Sequence, residues 1–143
     1  MAITLTAEIT NEGRKKLANM MVQGKSFILE QFVSGEGGHD PSNPTVALTP
    51  DVSAISLYLQ TFGPKDIFSK SLVTNFQAKL ICKLASAEAV GVLSNIGLIA
   101  RINYSPTAGD PELNTKFLFA IANMPMQNKL AGEEKEFQLT INY

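Results

Sequence analysis

Two kinds of apolar spacing organise this chain. Over 75–84, Phe76, Ala78, Leu80, Cys82 and Leu84 alternate with Asn75, Gln77, Lys79, Ile81 and Lys83. Successive side chains of a strand point to opposite faces, so this period of two predicts a half-buried strand. The last segment repeats it, with Phe137, Leu139, Ile141 and Tyr143 on one side and Glu136, Gln138, Thr140 and Asn142 on the other. Ile3 and Leu5, alternating with Thr4 and Thr6, give a shorter signal of the same kind. By contrast, 92–102 and 116–122 are nearly continuous apolar runs, as expected of strands covered on both faces. In the second run Phe117, Phe119 and Ile121 are expected to fill the core, while Leu118, Ala120 and Ala122 face a second layer or a partner.

One segment carries a helical period instead. Leu17, Met20, Met21 and Gly24 continue the spacing of Gly13 along one face, with Arg14, Lys15 and Lys16 mostly elsewhere. Thr10 or Asn11 can cap its start, Glu12 suits the positive pole of the helix, and Gly24 supplies a stop. An amphipathic helix of about three turns is predicted. Residues 51–62 fit either period: Val52, Ile55, Leu59 and Phe62 for a helix, Ile55, Leu57 and Leu59 for a strand, and the strand is preferred. Gly63-Pro64, Ser105-Pro106 and Asp110-Pro111 mark loops. Around 27–44 an apolar strand runs into Ser34-Gly35-Glu36-Gly37-Gly38 and a loop held by Pro41 and Pro44. Positive φ at Gly35, Gly37 and Gly38 is expected to reverse the chain there. The architecture that follows is α+β, a mostly antiparallel β-sheet or sandwich with one N-terminal amphipathic helix.

Composition narrows the function. At 143 residues with 45% apolar and 17% charged positions, the chain suits one folded domain with a real core. A net charge of −1 supplies no field for nucleic acid or an anionic membrane. No secretory leader and no apolar run long enough for a membrane helix is read, so synthesis in a reducing cytoplasm is expected. Cys82 is the single cysteine, which excludes an internal disulfide and a multi-cysteine zinc site. On the apolar face of its strand it is expected to be a small buried hydrophobe.

Three segments resemble one family, the N-terminal domain of phage tail-collar fibre proteins. Thr10, Asn11 and Gly13 match the family's helix start, and Phe32, Gly35, Glu36 and Gly37 match a strand ending in a glycine-acid-glycine turn. Ile96, Gly97 and Leu98 match its glycine-leucine strand, with Asn95 where the family has an acid; Pro125 and Lys129 close its apolar strand. The match keeps its order over nearly the whole chain. The resemblance implies a virion structural protein, a baseplate or fibre-adaptor subunit anchoring a tail fibre to the tail. Its implied partners are other tail and baseplate proteins and the fibre, with a trimer as the implied self-association and no cofactor. The final strand ends at Tyr143, so one domain over 1–143 without shaft or receptor-binding tip is expected. A collar or head-proximal position, or a receptor- or glycan-binding module, are the alternatives. The absence of Trp and the presence of only Tyr58, Tyr104 and Tyr143 argue against the glycan reading.

Candidate chemistry is sparse. Glu36, His39 and Asp40 place three donors on one glycine-rich loop, without the spaced scaffold of most metal sites, and a polar turn is the simpler reading. Gly35 to Gly38 does not open a helix, as a phosphate-cradling loop would. Glu133, Glu134 and Glu136, interrupted by Lys135, read as a solvated hairpin edge. The residues expected to carry function are therefore contact residues: Glu36, His39, Asp40 and Pro41 in the loop, and Leu118, Met124, Pro125, Met126 and Lys129 near the apolar strand.

Overall fold

The computed structural model describes residues 2–142. Its elements are β1 (Ala2–Ile9), α1 (Asn11–Gln23), β2 (Ser26–Gly35), β3 (His39–Asp40), β4 (Asn43–Ala47), β5 (Gln60–Asp66), β6 (Ser69–Thr74), β7 (Gln77–Leu84), β8 (Gly91–Tyr104), β9 (Lys116–Lys129) and β10 (Lys135–Asn142). Eight strands form one curled sheet in the order β5-β2-β8-β9-β1-β10-β7-β6, and β3 pairs with β4 beside it. The fold is β-rich with one short helix among the described residues.

The alternating segments become neighbours. β7 and β10 pair antiparallel, with Leu80 opposite Leu139 and Cys82 opposite Phe137, so their apolar faces are buried together. Leu84, Phe137, Leu139 and Ile141 join Phe32, Leu93, Ile96, Leu98, Ala122 and Met124 in the main core. Each large side chain so buried stabilises by about 1.5–3 kcal/mol. The expected orientation of Tyr143 lies outside the described residues. β1 hands its pairing over midway: Ala2 to Ala7 run parallel to β10, then Glu8 and Ile9 pair antiparallel with β9. Every other ladder of the sheet is antiparallel.

β5 and β6 are the two edges, and they are consecutive in the chain. The link between them bridges the curl: Ile67 N–H donates to Glu30 O at 3.1 Å and Phe68 N–H to Ile81 O at 2.8 Å. Lys70 Nζ reaches Leu29 O at 2.8 Å. No β5–β6 ladder forms among the described residues.

Several expectations change. The helix is present and capped as read: Thr10 accepts from Gly13 N–H at 3.0 Å, and Gly24 takes φ 70° after its end. It does not bury an apolar face, however. Gly13 is its buried residue, Leu17 is half-buried, and Met21 and Val22 are 83% and 84% exposed. The anchor is its first turn, where Thr10 N–H donates to Phe119 O at 2.8 Å and its Oγ1 donates to Leu118 O at 2.7 Å. A Cβ on Gly13 would lie 2.6 Å from Phe119 O, so glycine is what lets the helix sit on β9. Residues 51–59 are irregular rather than a strand, and Gly63-Pro64 lies inside β5 rather than in a loop. An edge strand accommodates a proline because its open side forms no ladder bond.

In β9 the expected alternation is also broken. Ala120, Ala122 and Met124 enter the main core, whereas Leu118 and Ile121 pack with Val33 and Leu57 in a second small cluster. Leu57 belongs to the irregular 51–59 segment, which therefore covers the outer face of β9.

Candidate interaction surface

The end of β2 sets the geometry of this surface. Gly35 stands opposite Asn95 of β8 in the ladder. A Cβ at Gly35 would lie 2.5 Å from Leu59 O and 2.7 Å from Asn95 Oδ1. At Gly37 it would strike Tyr58, and at Gly38 the carbonyl of Ser94. None of the three has positive φ. The expected reason for these glycines is thus corrected: they permit close approach of three backbone segments, not a left-handed reversal. The positive φ falls on Leu59, at 52°, where Glu36 N–H donates to Leu59 O at 3.1 Å.

Polar bonds fix the same corner. Asn95 Nδ2 donates to Tyr58 O at 3.0 Å. Gly38 N–H donates to Ser94 Oγ at 2.8 Å, and His39 Nδ1 lies 2.9 Å from that hydroxyl. Ser94 is fully buried, so no substrate carbonyl can approach its Oγ, and the Ser94–His39 pair fastens the β3–β4 hairpin. Leu48 N–H donates to Gly38 O at 2.8 Å, and Asn123 Nδ2 to Leu48 O at 3.0 Å. Among the described residues, no group of three or more His, Cys, Asp or Glu is placed to hold a metal ion.

These restraints leave an open cleft of about 350 Å³ lined by Glu36, His39, Pro41, Leu48, Tyr58, Leu59, Val92 and Met126. It brings together four expected contact residues from two distant parts of the chain: Glu36, His39 and Pro41 from the loop, and Met126 from β9. Tyr58 at 67% exposure and Met126 at 41% form its apolar rim. Pro125 is exposed beside Met126, while Asp40 turns its Oδ1 to Ser42 N–H at 2.9 Å.

Leu118, Met124 and Lys129 are corrected. All three are buried within the monomer and present nothing to a partner. Leu118 lies under the 51–59 segment and Met124 inside the main core. Lys129 Nζ donates to Ala85 O at 2.9 Å and Ser86 O at 3.3 Å, holding the β7–β8 turn. Leu48, Tyr58, Leu59 and Val92 were not legible as site residues. The competing periods of 51–62 were the one available signal, since a segment that buries Leu57 but exposes Tyr58 and Leu59 obeys neither.

Other features read as structural. A cleft of about 650 Å³ at the β5–β6 link is lined by Lys65, Phe68, Lys83, Lys135 and neighbours, but its cations are engaged. Lys65 bonds Glu88 at 2.5 Å, Lys83 lies 3.8 Å from Glu136 and 3.7 Å from the Phe68 ring centroid, and Lys135 is 3.7 Å from Glu133. Burial pushes the Cys82 thiol up to about 12, so it is inert as a nucleophile at neutral pH. No helix among the described residues is long and apolar enough to cross a membrane. No protein-family model matches this chain, and no curated protein matches it.

Proposed function

We propose that this chain is a non-enzymatic structural subunit of a phage or phage-like tail, a baseplate or fibre adaptor that holds a tail fibre to the tail. One observation carries this reading. The segments on which the tail-collar resemblance rests fold into a single contiguous unit, although they are scattered over 10–129. β2, β8 and β9 are successive strands of the sheet, and the capped start of α1 rests on the third. The matched glycines are its points of contact. Gly13 presses on Phe119, Gly35 on Asn95, and Gly97 on Leu118 and Val33.

The departure at Asn95 is accommodated locally. Asn95 uses its amide N–H on Tyr58 O, a bond that an acid at this position could not donate. The surface around the cleft rimmed by Tyr58 and Met126 is the contact region, and its partners are tail, baseplate and fibre proteins together with further copies of this chain. Permanent contacts of this kind bury about 2,000 Å² or more in total, so the cleft would be the centre of a wider interface that includes self-association, with a trimer as the leading arrangement.

Mass spectrometry of purified particles, followed by cross-linking from the neighbourhoods of Glu36 and His39, tests this. The polypeptide is expected in stoichiometric amounts in the tail fraction, cross-linked to tail or fibre subunits. Its absence from purified particles, or its isolation as a free catalyst, overturns the reading.

A further inference from the structure

We infer that the cleft at the end of β2 receives helix α1 of a second copy of this chain, so that copies associate head to tail. Among the exposed positions of α1, Arg14, Lys15, Ala18, Met21 and Val22 lie along one stripe. Their spacing of three to four residues is that of an amphipathic helix that anchors itself in a groove. Within its own molecule the stripe has no cover. Arg14 and Lys15 form no ion pair among the described residues, and neither does Glu36 at the cleft. Helix and cleft are therefore complementary twice over. The helix offers free cations and apolar ends, and the cleft offers a free anion beside Leu48, Tyr58, Leu59 and Met126. Met21 is suited to an irregular apolar cleft because its unbranched chain adapts its shape.

One copy cannot satisfy both surfaces by itself. Met21 and Val22 precede the start of β2 and Glu36 follows its end, a separation of about 30 Å along an extended strand. The two surfaces differ, so the contact is heterologous. Each added copy leaves one cleft and one helix open, and association ends only when a ring closes. This inference concerns the purified chain and is independent of the proposal that it resides in a phage tail.

Sedimentation velocity of the purified chain over a range of concentrations tests it. Wild type is expected to self-associate, and Glu36→Lys, Arg14→Glu with Lys15→Glu, and Met21→Asp are each expected to weaken association about tenfold or more. All these positions lie on the surface, so circular dichroism should show unchanged folding. Combining Glu36→Lys with Arg14→Glu and Lys15→Glu reverses both sides of the contact and is expected to restore assembly. A wild-type chain that stays monomeric throughout overturns the inference, as does a combined variant that does not reassemble. Assembly that ignores these changes but is lost in Leu72→Lys would assign the contact to the free edge of β6 and overturn it equally.

Discussion

Gly35 and Asn95 face each other across the β2–β8 ladder, and the Asn95 amide occupies the space that a side chain at position 35 would need. Leu59 O closes the other side of that space. A methyl group added here would have to displace the Leu59 carbonyl and the Gln60 Cα as well as the Asn95 side chain. Gly35→Ala and Gly38→Ala are therefore expected to destabilise by about 3 kcal/mol each. Gly109 is the control: its φ is 72°, and a Cβ there would meet open space, so Gly109→Asn should stay within about 0.5 kcal/mol. Urea denaturation midpoints of the three variants check this, and equal effects at all three would refute the close-approach explanation.

Asn95 also ties β8 to the segment that rims the cleft. Asn95→Asp removes the side-chain donor to Tyr58 O and sets a second acceptor against it. A part-buried acceptor that loses its donor, with an acid set beside it, makes a loss of about 1–3 kcal/mol the expected result. The Glu36 amide, bonded to Leu59 O, should then exchange with deuterium faster than in the parent chain. Unchanged exchange at Glu36 would show that Asn95 does not hold this corner.

Lys129 gives a contrast between a residue that looks like a surface contact and one that closes a turn. Lys129→Met keeps its packing but removes the charged donor shared by Ala85 O and Ser86 O, leaving them only the backbone bonds from Glu88 N–H and Gly132 N–H. The expected loss is about 1–3 kcal/mol, with faster proteolysis of the β7–β8 turn and no change in self-association. Weaker self-association with intact stability would return Lys129 to the surface.

Acid should loosen the attachment of α1 before it melts the sheet. Lys25 lies 2.8 Å from Asp110, and Lys16 lies 2.8 Å from Glu112. The hydrogen bond from Lys25, with that from Ser105, holds the Asp110 carboxyl well below its ordinary 3.8, and Lys16 likewise lowers Glu112 from 4.5. Carboxyls with lowered folded values stabilise fully above their unfolded values, and that contribution disappears as pH falls through the folded ones. Lys25 is raised above 10.5, chiefly by its bond to Asp110, so its contribution is whole below 10.5 and is lost as pH rises through the higher folded value. Thermal melts between pH 2 and 7 should fall below about pH 4.5, and Asp110→Asn should flatten that fall. An unaltered acid profile in Asp110→Asn would show that this ion cluster does not set it.

The sheet was more legible than the surface, for a physical reason. Period-two alternation at Leu80, Cys82 and Leu84, and at Phe137, Leu139 and Ile141, reports burial on one face, and those residues are buried. The unbroken apolar runs of β8 and β9 likewise reported cover on both faces. What covers the outer face of β9 could not be read, because Leu57 comes from a segment with no regular period. Hence Leu118 and Met124 looked available to a partner. The helix misled in the opposite sense: its apolar spacing is real, but Gly13 rather than Met21 makes the contact with β9. Gly35, Gly37 and Gly38 were legible as special positions, yet whether a glycine answers to φ or to crowding depends on neighbours such as Ser94 and Asn95, distant in sequence. The cleft residues Tyr58 and Leu59 were hidden by the same dependence.

Without a ladder between β5 and β6 among the described residues, the curled wall has a seam there, spanned by the Ile67–Phe68 link and the reach of Lys70 to Leu29 O. A seamless cylinder can change its girth only by breaking rungs, whereas a slit one can widen or tighten with every rung intact. The seam is thus the place where this wall parts without the loss of a rung.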